Sequence, residues 1–315
     1  MAKKLTIIDI ARLAGVGKST VSRVINQDPK VKAQTRDKVL SVIQEVGFVP
    51  SKSAQSMRGG RQKVIGIIVS RLDSTSETQA VRGMLNFLYA KGYDSMIMES
   101  QFDPQLVNAH LDVLNKRQVD GVILFGFTHL DLSFVETWQH KLILMAWESI
   151  ALSSVNYDNQ GVITLALDRL RQNGAQSIGF MGVDPSDVTT GFARQAAYQA
   201  WCEQHEYTPV LKSAQLSVES GYQMLDKLLT PTMDAICCAT DSLALGVNKR
   251  LQELGKTHIQ VSGVGHHPML SFLYPQTISV DPGYYQAGEL CARQLLKQLS
   301  GKPQIKHIIH KAQLN

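Results

Sequence analysis

The sequence predicts a small all-α head carrying a helix-turn-helix, followed by an α/β body of two doubly wound parallel-sheet lobes. Three observations predict it. Residues 1–63 hold 13 Lys+Arg against 4 Asp+Glu, a balance of +9, while the remaining 252 residues carry −4. Apolar residues between positions 5 and 46 recur at helical spacing. From residue 64 onward short apolar runs alternate with helical segments.

The head opens with Ile7, Ile10, Ala11 and Ala14 at i, i+3, i+4 and i+7, one face of a helix. Thr6, with Asp9 three residues later, makes a start resembling a capping box, and Gly15 supplies a left-handed stop. A second helix begins at Lys18, with Gly17 as its cap and Val21, Val24 and Ile25 on its buried side. Its other side carries Lys18, Ser19, Ser22, Arg23 and Asn26. Two such helices joined by a turn of about three residues form a helix-turn-helix, whose second helix enters the major groove. Lys18 and Arg23 suit guanine edges or phosphate, and Ser19 and Ser22 suit either bases or backbone. A third helix over residues 35–46, with Val39, Val42, Ile43 and Val46, closes the core.

Gly17-Lys18-Ser19-Thr20 also resembles the tail of a phosphate-binding loop, which would make the chain a nucleotide-binding enzyme. That loop needs a glycine five positions before Gly17 and a buried strand leading in, but Arg12 stands at that position and the lead-in is helical.

In the body, runs at 64–69, 95–98, 121–127 and 142–146 read as strands, with helices at 77–91 and 104–118. A second series follows, with strands at 177–181, 235–239, 260–264 and 277–280 and helices at 158–173, 194–205, 222–229 and 243–254. About 250 residues of this pattern exceeds one doubly wound sheet, so two lobes are expected. Ligands of such sheets bind beyond the carboxyl ends of the strands. Four polar loops lie there: 70–77, with Arg71 beside Ser74, Thr75 and Ser76; 184–191, leading to Arg194; 240–242; and 283–284. Each alone suits helix capping, and their convergence on one cleft would make a binding site with Arg71 as an anion cradle.

The string "TIIDIARLAGVGKSTVSRVIN" followed by "TRDKVLSVIQEVGFVPSKSAQSM" resembles, without a gap, the DNA-binding head of the lactose/galactose-repressor family. Two positions depart from the commoner pattern: Gly17 replaces a serine cap, and Lys32 replaces the cap of the third helix. The resemblance implies a head over 1–50, a hinge helix over 51–62 and a periplasmic-binding-protein-like core over 63–315. The first lobe of that core would take 63–156 and 282–301, the second 157–281 and 302–315, with crossovers near Tyr157, Asp281 and Lys302. It further implies that Thr6, Gly17, Lys18, Ser19, Thr20, Ser22, Arg23 and Asn26 meet double-stranded operator DNA. In the hinge, Ala54 would let paired helices of a homodimer approach, and Met57 would wedge into the minor groove.

Arg194 and Asp241 match the family's clamp on sugar hydroxyls. The strings "IIVSRLDSTSE", "MESQFDPQLV", "DGVILFGF", "DVTTG" and "VDPGY" resemble the branch of the family that represses trehalose-utilisation genes and answers to trehalose 6-phosphate. That implies effector contacts from Arg71, Leu72, Asp73, Ser74, Thr75, Ser76 and Glu77. Gly126, Asp187, Val188, Thr189, Thr190, Arg194, Asp241, Ser242 and Tyr284 complete the implied set. Trp147 stands where this branch would place a second arginine; it can stack on a pyranose face and cannot pair with phosphate. The same family with another sugar or sugar phosphate as effector is the alternative.

Four cysteines without C-x-x-C spacing, two of them adjacent in an apolar run, read as core residues. His266-His267 reads as loop surface or cleft lining. No Ser-His-Asp motif, metal cluster or complete G-x-G-x-x-G is present, so the expectation is a non-enzyme without cofactor or metal. No apolar run approaches the roughly 20 residues of a membrane span, and no apolar signal core follows Met1, so the expected location is the cytoplasm.

Overall fold

The Thr6 hydroxyl accepts from the Asp9 backbone N–H at 3.4 Å, and the Asp9 carboxylate accepts from the Thr6 N–H at 2.9 Å. This reciprocal cap starts α1 (Ile7–Leu13), which Gly15 ends at φ +61°. The computed structural model describes residues 5–26, 28–48, 63–301 and 304–314; the hinge expectations at Ala54 and Met57 lie outside them. The chain divides into two units, Met1–Gln62 and Lys63–Asn315.

In the head, α2 (Lys18–Ile25) starts at Gly17 and α3 (Ala33–Glu45) at Lys32, neither with a side-chain cap. Ile10, Ala14, Val21 and Val39 are fully buried. Ile7, Ala11, Val24, Ile25, Val42, Ile43 and Val46 join the same cluster, so the helical periods read from the sequence all face one core.

The body continues as β1 (Val64–Val69), α4 (Thr75–Ala90), β2 (Asp94–Glu99), α5 (Pro104–Lys116), β3 (Gly121–Phe125), α6 (Val135–Trp138), β4 (Leu142–Met145) and β5 (Ser154–Tyr157). Then come α7 (Asn159–Gln172), β6 (Ile178–Val183), a π-helical turn (Val188–Ala193), α8 (Arg194–His205), β7 (Val210–Ala214), α9 (Val218–Leu228) and β8 (Ala235–Cys238). The chain ends with α10 (Asp241–Glu253), β9 (Gln260–Val264), α11 (Pro268–Leu273), β10 (Ile278–Asp281), α12 (Tyr284–Ser300), β11 (His307–His310) and β12 (Gln313–Leu314). Two six-stranded sheets result, ordered β11-β5-β4-β3-β1-β2 and β12-β10-β9-β8-β6-β7. Among the described residues every pairing between these strands is parallel except β10 with β12.

Alternate strand residues serve opposite faces of the first sheet. Ile65, Ile67, Ile123, Phe125, Ile143 and Met145 pack against α4 and α12, while Ile68, Val122, Leu124, Leu142 and Leu144 pack against α5. Burial on both faces is why these strands read as continuous apolar runs.

One boundary differs from expectation. The expected place of residues 302–315 is the second lobe, with a crossover near Lys302, but β11 pairs in parallel with β5 in the first sheet, from His307 opposite Ser154 to His310 opposite Tyr157. Only β12 reaches the second sheet, so the third crossover lies between His310 and Gln313. Backbone pairing along an otherwise open edge of the first sheet carries the chain past the expected crossover near Lys302.

The α4–α12 crossing depends on two glycines. A Cβ on Gly83 would sit 2.0 Å from the Tyr285 carbonyl oxygen, and one on Gly288 would sit 2.0 Å from that of Ala80. Gly288→Ala is therefore expected to lower the denaturant midpoint of the full chain, costing about 1–3 kcal/mol. An unchanged midpoint would contradict this backbone-to-backbone contact.

Candidate DNA-reading surface and interlobe cleft

Lys18, Ser19, Arg23 and Asn26 are exposed along α2, with Thr20 and Ser22 half-buried beside them. Val21 and Val24 anchor the opposite side, so the polar face is held outward. Arg23 Nε lies 3.9 Å from an Asp28 carboxylate oxygen, a loose pair between two partly solvated groups that leaves the guanidinium exposed. Thr6, expected at DNA, is exposed and committed to its cap, donating to the Asp9 carboxylate at 2.7 Å. The N–H groups of Thr20 and Val21 donate to the Gly17 carbonyl at 2.9 and 3.2 Å. Those two amides are taken up by the helix, and the helix α1 leads in where a nucleotide loop needs a strand.

In the body the loops after successive strands meet between the lobes. Two cavities of about 130 and 120 Å³ adjoin there, sharing Arg71, Ser74, Ser76, Thr190, Arg194, Leu216 and Tyr284. The first adds Asp73, Thr75, Thr240, Asp241, Ser242, Gly265 and His267. The second adds Glu77, Phe102, Phe125, Gly126, Phe127, Tyr157, Asn159, Asp187 and Thr189.

Each polar group has a structural reason for its position. Ser74 caps α4, bringing Thr75, Ser76 and Glu77 into the helix's first turn. Glu77 Oε2 accepts from the Ser70 N–H at 2.7 Å and the Arg71 N–H at 3.5 Å. Burial pushes the Glu77 pKa up to about 7 despite those bonds and the nearby Arg71 charge. Asp187 Oδ1 accepts from the N–H groups of Thr189, Thr190 and Gly191 at 2.9, 2.8 and 3.4 Å, capping the π-helical turn that delivers Arg194. Arg194 is buried, with Nε donating to Asn159 Oδ1 at 2.9 Å and a terminal nitrogen to the Ala239 carbonyl at 2.6 Å. Asp241 Oδ2 accepts from the His267 N–H and the Ser279 hydroxyl, both at 2.7 Å, and burial holds its carboxyl above the ordinary value.

Among the described residues, Arg71 Nε, Tyr157 Oη and Asp241 Oδ1 are buried at the cleft without a hydrogen-bond partner. Arg71 is half-buried, its Nε 3.5 Å from Asp73 Oδ1 and its guanidinium 5.9 Å from the Phe102 ring centre. A pocket that desolvates polar groups without pairing them is chemically disposed toward a polar guest.

Of the residues expected at the effector, Leu72, Trp147 and Val188 do not line the cavities. Leu72 and Val188 are exposed at 54% and 44%. The Val188 N–H instead donates across the cleft to the Thr128 hydroxyl at 3.2 Å. Trp147 packs against the α5-side cluster behind Gly126, where a Cβ would come within 2.4 Å of the Trp147 Cβ. His267, read as loop surface or cleft lining, lines the first cavity; Phe102, Tyr157, Asn159 and Leu216 carry no site signal in the sequence beyond position just past a strand or crossover. Among the described residues no cluster of three or more His, Cys, Asp or Glu is arranged to hold a metal.

A helix-turn-helix head joined to a two-lobed body with a polar interlobe cleft defines a DNA-binding transcriptional repressor controlled through a sensor domain. The family model of bacterial regulatory proteins of the lacI family matches residues 6–51, and that of periplasmic binding protein-like domains matches residues 167–312. The HTH-type transcriptional regulator TreR of Escherichia coli (strain K12) is 47% identical over 315 residues, covering 100% of both chains. Its Salmonella typhimurium counterpart is 45% identical over 309 residues, covering 98% of both. A solved structure of the trehalose repressor from Escherichia coli, 45% identical, covers 81% of this chain and 100% of its own with a TM-score of 0.78. The lac repressor bound to ONPG shares the fold at a TM-score of 0.89, with 22% identity over 99% of this chain and 98% of its own. The chain belongs to the lacI family.

The raised Glu77 pKa has a pH signature. Unfolded Glu77 titrates near 4.5 and folded Glu77 near 7, so its contribution to stability is whole below pH 4.5 and is lost as pH rises toward 7. Thermal unfolding across this window should show Glu77→Gln losing less stability than the wild-type chain; parallel curves would return Glu77 to an ordinary carboxylate.

Proposed function

We propose that the protein represses trehalose-utilisation genes as a homodimer and leaves its operator when trehalose 6-phosphate enters the interlobe cleft. The observation that carries this is the cleft itself, in which a buried Asp241 oxygen without a partner and the Arg71 cation face a space reached from both lobes. Asp241 Oδ1 suits a sugar hydroxyl, while Arg71 with Ser74, Thr75 and Ser76 at the start of α4 suits phosphate. End-to-end similarity to regulators named for trehalose supports the choice of sugar. The effector acts by binding alone, without cofactor or catalysis. Two heads take two half-sites of a near-palindromic operator. No helix among the described residues is long and apolar enough to cross a membrane, which agrees with action on DNA in the cytoplasm.

One observation favours a second reading. Arg194 already serves Asn159 and the Ala239 carbonyl, and Trp147 offers no charge, so Arg71 carries phosphate recognition nearly alone. A different sugar or sugar phosphate is the alternative effector.

Both readings are tested by fluorescence anisotropy on an operator selected with the purified protein, in the presence of trehalose 6-phosphate, trehalose or glucose 6-phosphate. Loss of DNA affinity with the first is expected; no loss refutes it as effector. Arg71→Ala should keep operator affinity and need at least about tenfold more trehalose 6-phosphate for release. Lys18→Ala should weaken operator binding roughly tenfold to hundredfold and leave sugar affinity unchanged.

A further inference from the structure

Tyr157 ends β5, where the chain first passes from one lobe to the other. Its ring stands edge-on to that of Tyr284, centroids 4.9 Å apart at 88°, so packing fixes where the phenol points. Phenylalanine would satisfy that packing equally. The oxygen needs another explanation, because Oη is buried and has no partner. Tyr157 lines the cavity that also holds Glu77, Phe125 and Phe127, while Asp241 lines the adjoining one. Burial, with Tyr284 and Glu77 nearby, raises the phenol's pKa well above its usual value, so the group stays a protonated donor.

We propose that Tyr157 is a specificity-determining residue of the cleft, its phenol donating a hydrogen bond to a sugar oxygen on the part of the effector away from Asp241. This rests on the reading of the cleft as a sugar-phosphate site. A donor desolvated before the ligand arrives discriminates strongly, since a guest lacking the matching acceptor leaves it unpaired. Both Tyr157 and its ring partner Tyr284 sit next to crossovers between the lobes.

The test compares full-length wild-type protein with Tyr157→Phe, by calorimetric titration with trehalose 6-phosphate and by thermal unfolding without sugar. The expected result is roughly three- to tenfold weaker binding in Tyr157→Phe, with a sugar-free melting temperature equal to or above wild type. Equal affinities in the two proteins would overturn the role of Tyr157 and leave the effector reading intact. A lower sugar-free melting temperature would reveal an internal partner for the phenol and would also overturn the proposal. Absence of binding by the wild-type protein would overturn the effector reading and Tyr157's role with it.

Discussion

Parallel strand pairing is the constraint on which this body depends. In a parallel ladder all strands run the same way, so every carboxyl end of a sheet emerges at one edge and each return needs a crossover, made by a helix at most steps and by the irregular segment 146–153 between β4 and β5. In the first sheet that edge presents Ser70, Gly126, Ala146 and Tyr157; in the second it presents Asp187, Thr240 and Gly265. The cleft exists because both edges face each other, and no single loop could have assembled it. The antiparallel exception, β12, lies at the far margin of the second sheet.

Between those edges the protein holds charge and hydroxyls at low solvation. Glu77 and Asp241 keep raised pKa values through burial, while Arg194 is tied to both Asn159 and Ala239. Contacts across the cleft and at the crossovers hold the lobes together: Val188 with Thr128, the Asp158 N–H with the His310 carbonyl at 3.1 Å, and Lys311 Nζ with Asp158 Oδ2 at 3.0 Å. A guest that engages groups from both lobes biases their relative arrangement only through the difference in contacts it makes in each arrangement. That difference is what a repressor needs in order to couple a small molecule to DNA, and the coupling is reciprocal.

Legibility in the sequence followed burial. The head was readable almost residue by residue because a three-helix core requires apolar positions at helical spacing, as at Ile10, Ala14, Val21 and Val39. Central strands such as Val64–Val69 announced themselves by being apolar on both faces. Others did not: β7 and β11, at or near the sheet margins, carry Lys, Ser or His beside a few apolar residues because one side of an outer strand meets water, and the inner β5 is only four residues long with Ser154 and Asn156 among them. Helix α12 shows Ala287, Cys291 and Leu295 at helical spacing, but its return to the first sheet is a long-range fact that no local pattern contains. At the cleft, loops rich in hydroxyls and charge pointed to Arg71, Arg194 and Asp241. Tyr157 and Asn159 matter only because the crossover places them there, and Trp147 lies elsewhere because Gly126 lets it fold behind the strand end.

The discontinuous first lobe also sets an order of events in time. Its core contains Ala287, Cys291, Ala292 and Leu295 from α12, and its sheet needs β11, all of which follow the second lobe in the chain. On a ribosome, therefore, the segment made first must wait, its apolar strands unsealed, until the segment made later has emerged and closed. Such distant contacts slow folding, because the intervening loop must be ordered before they form. The second lobe, contiguous from α7 to β10 and completed only by the two-residue β12, depends far less on the late chain.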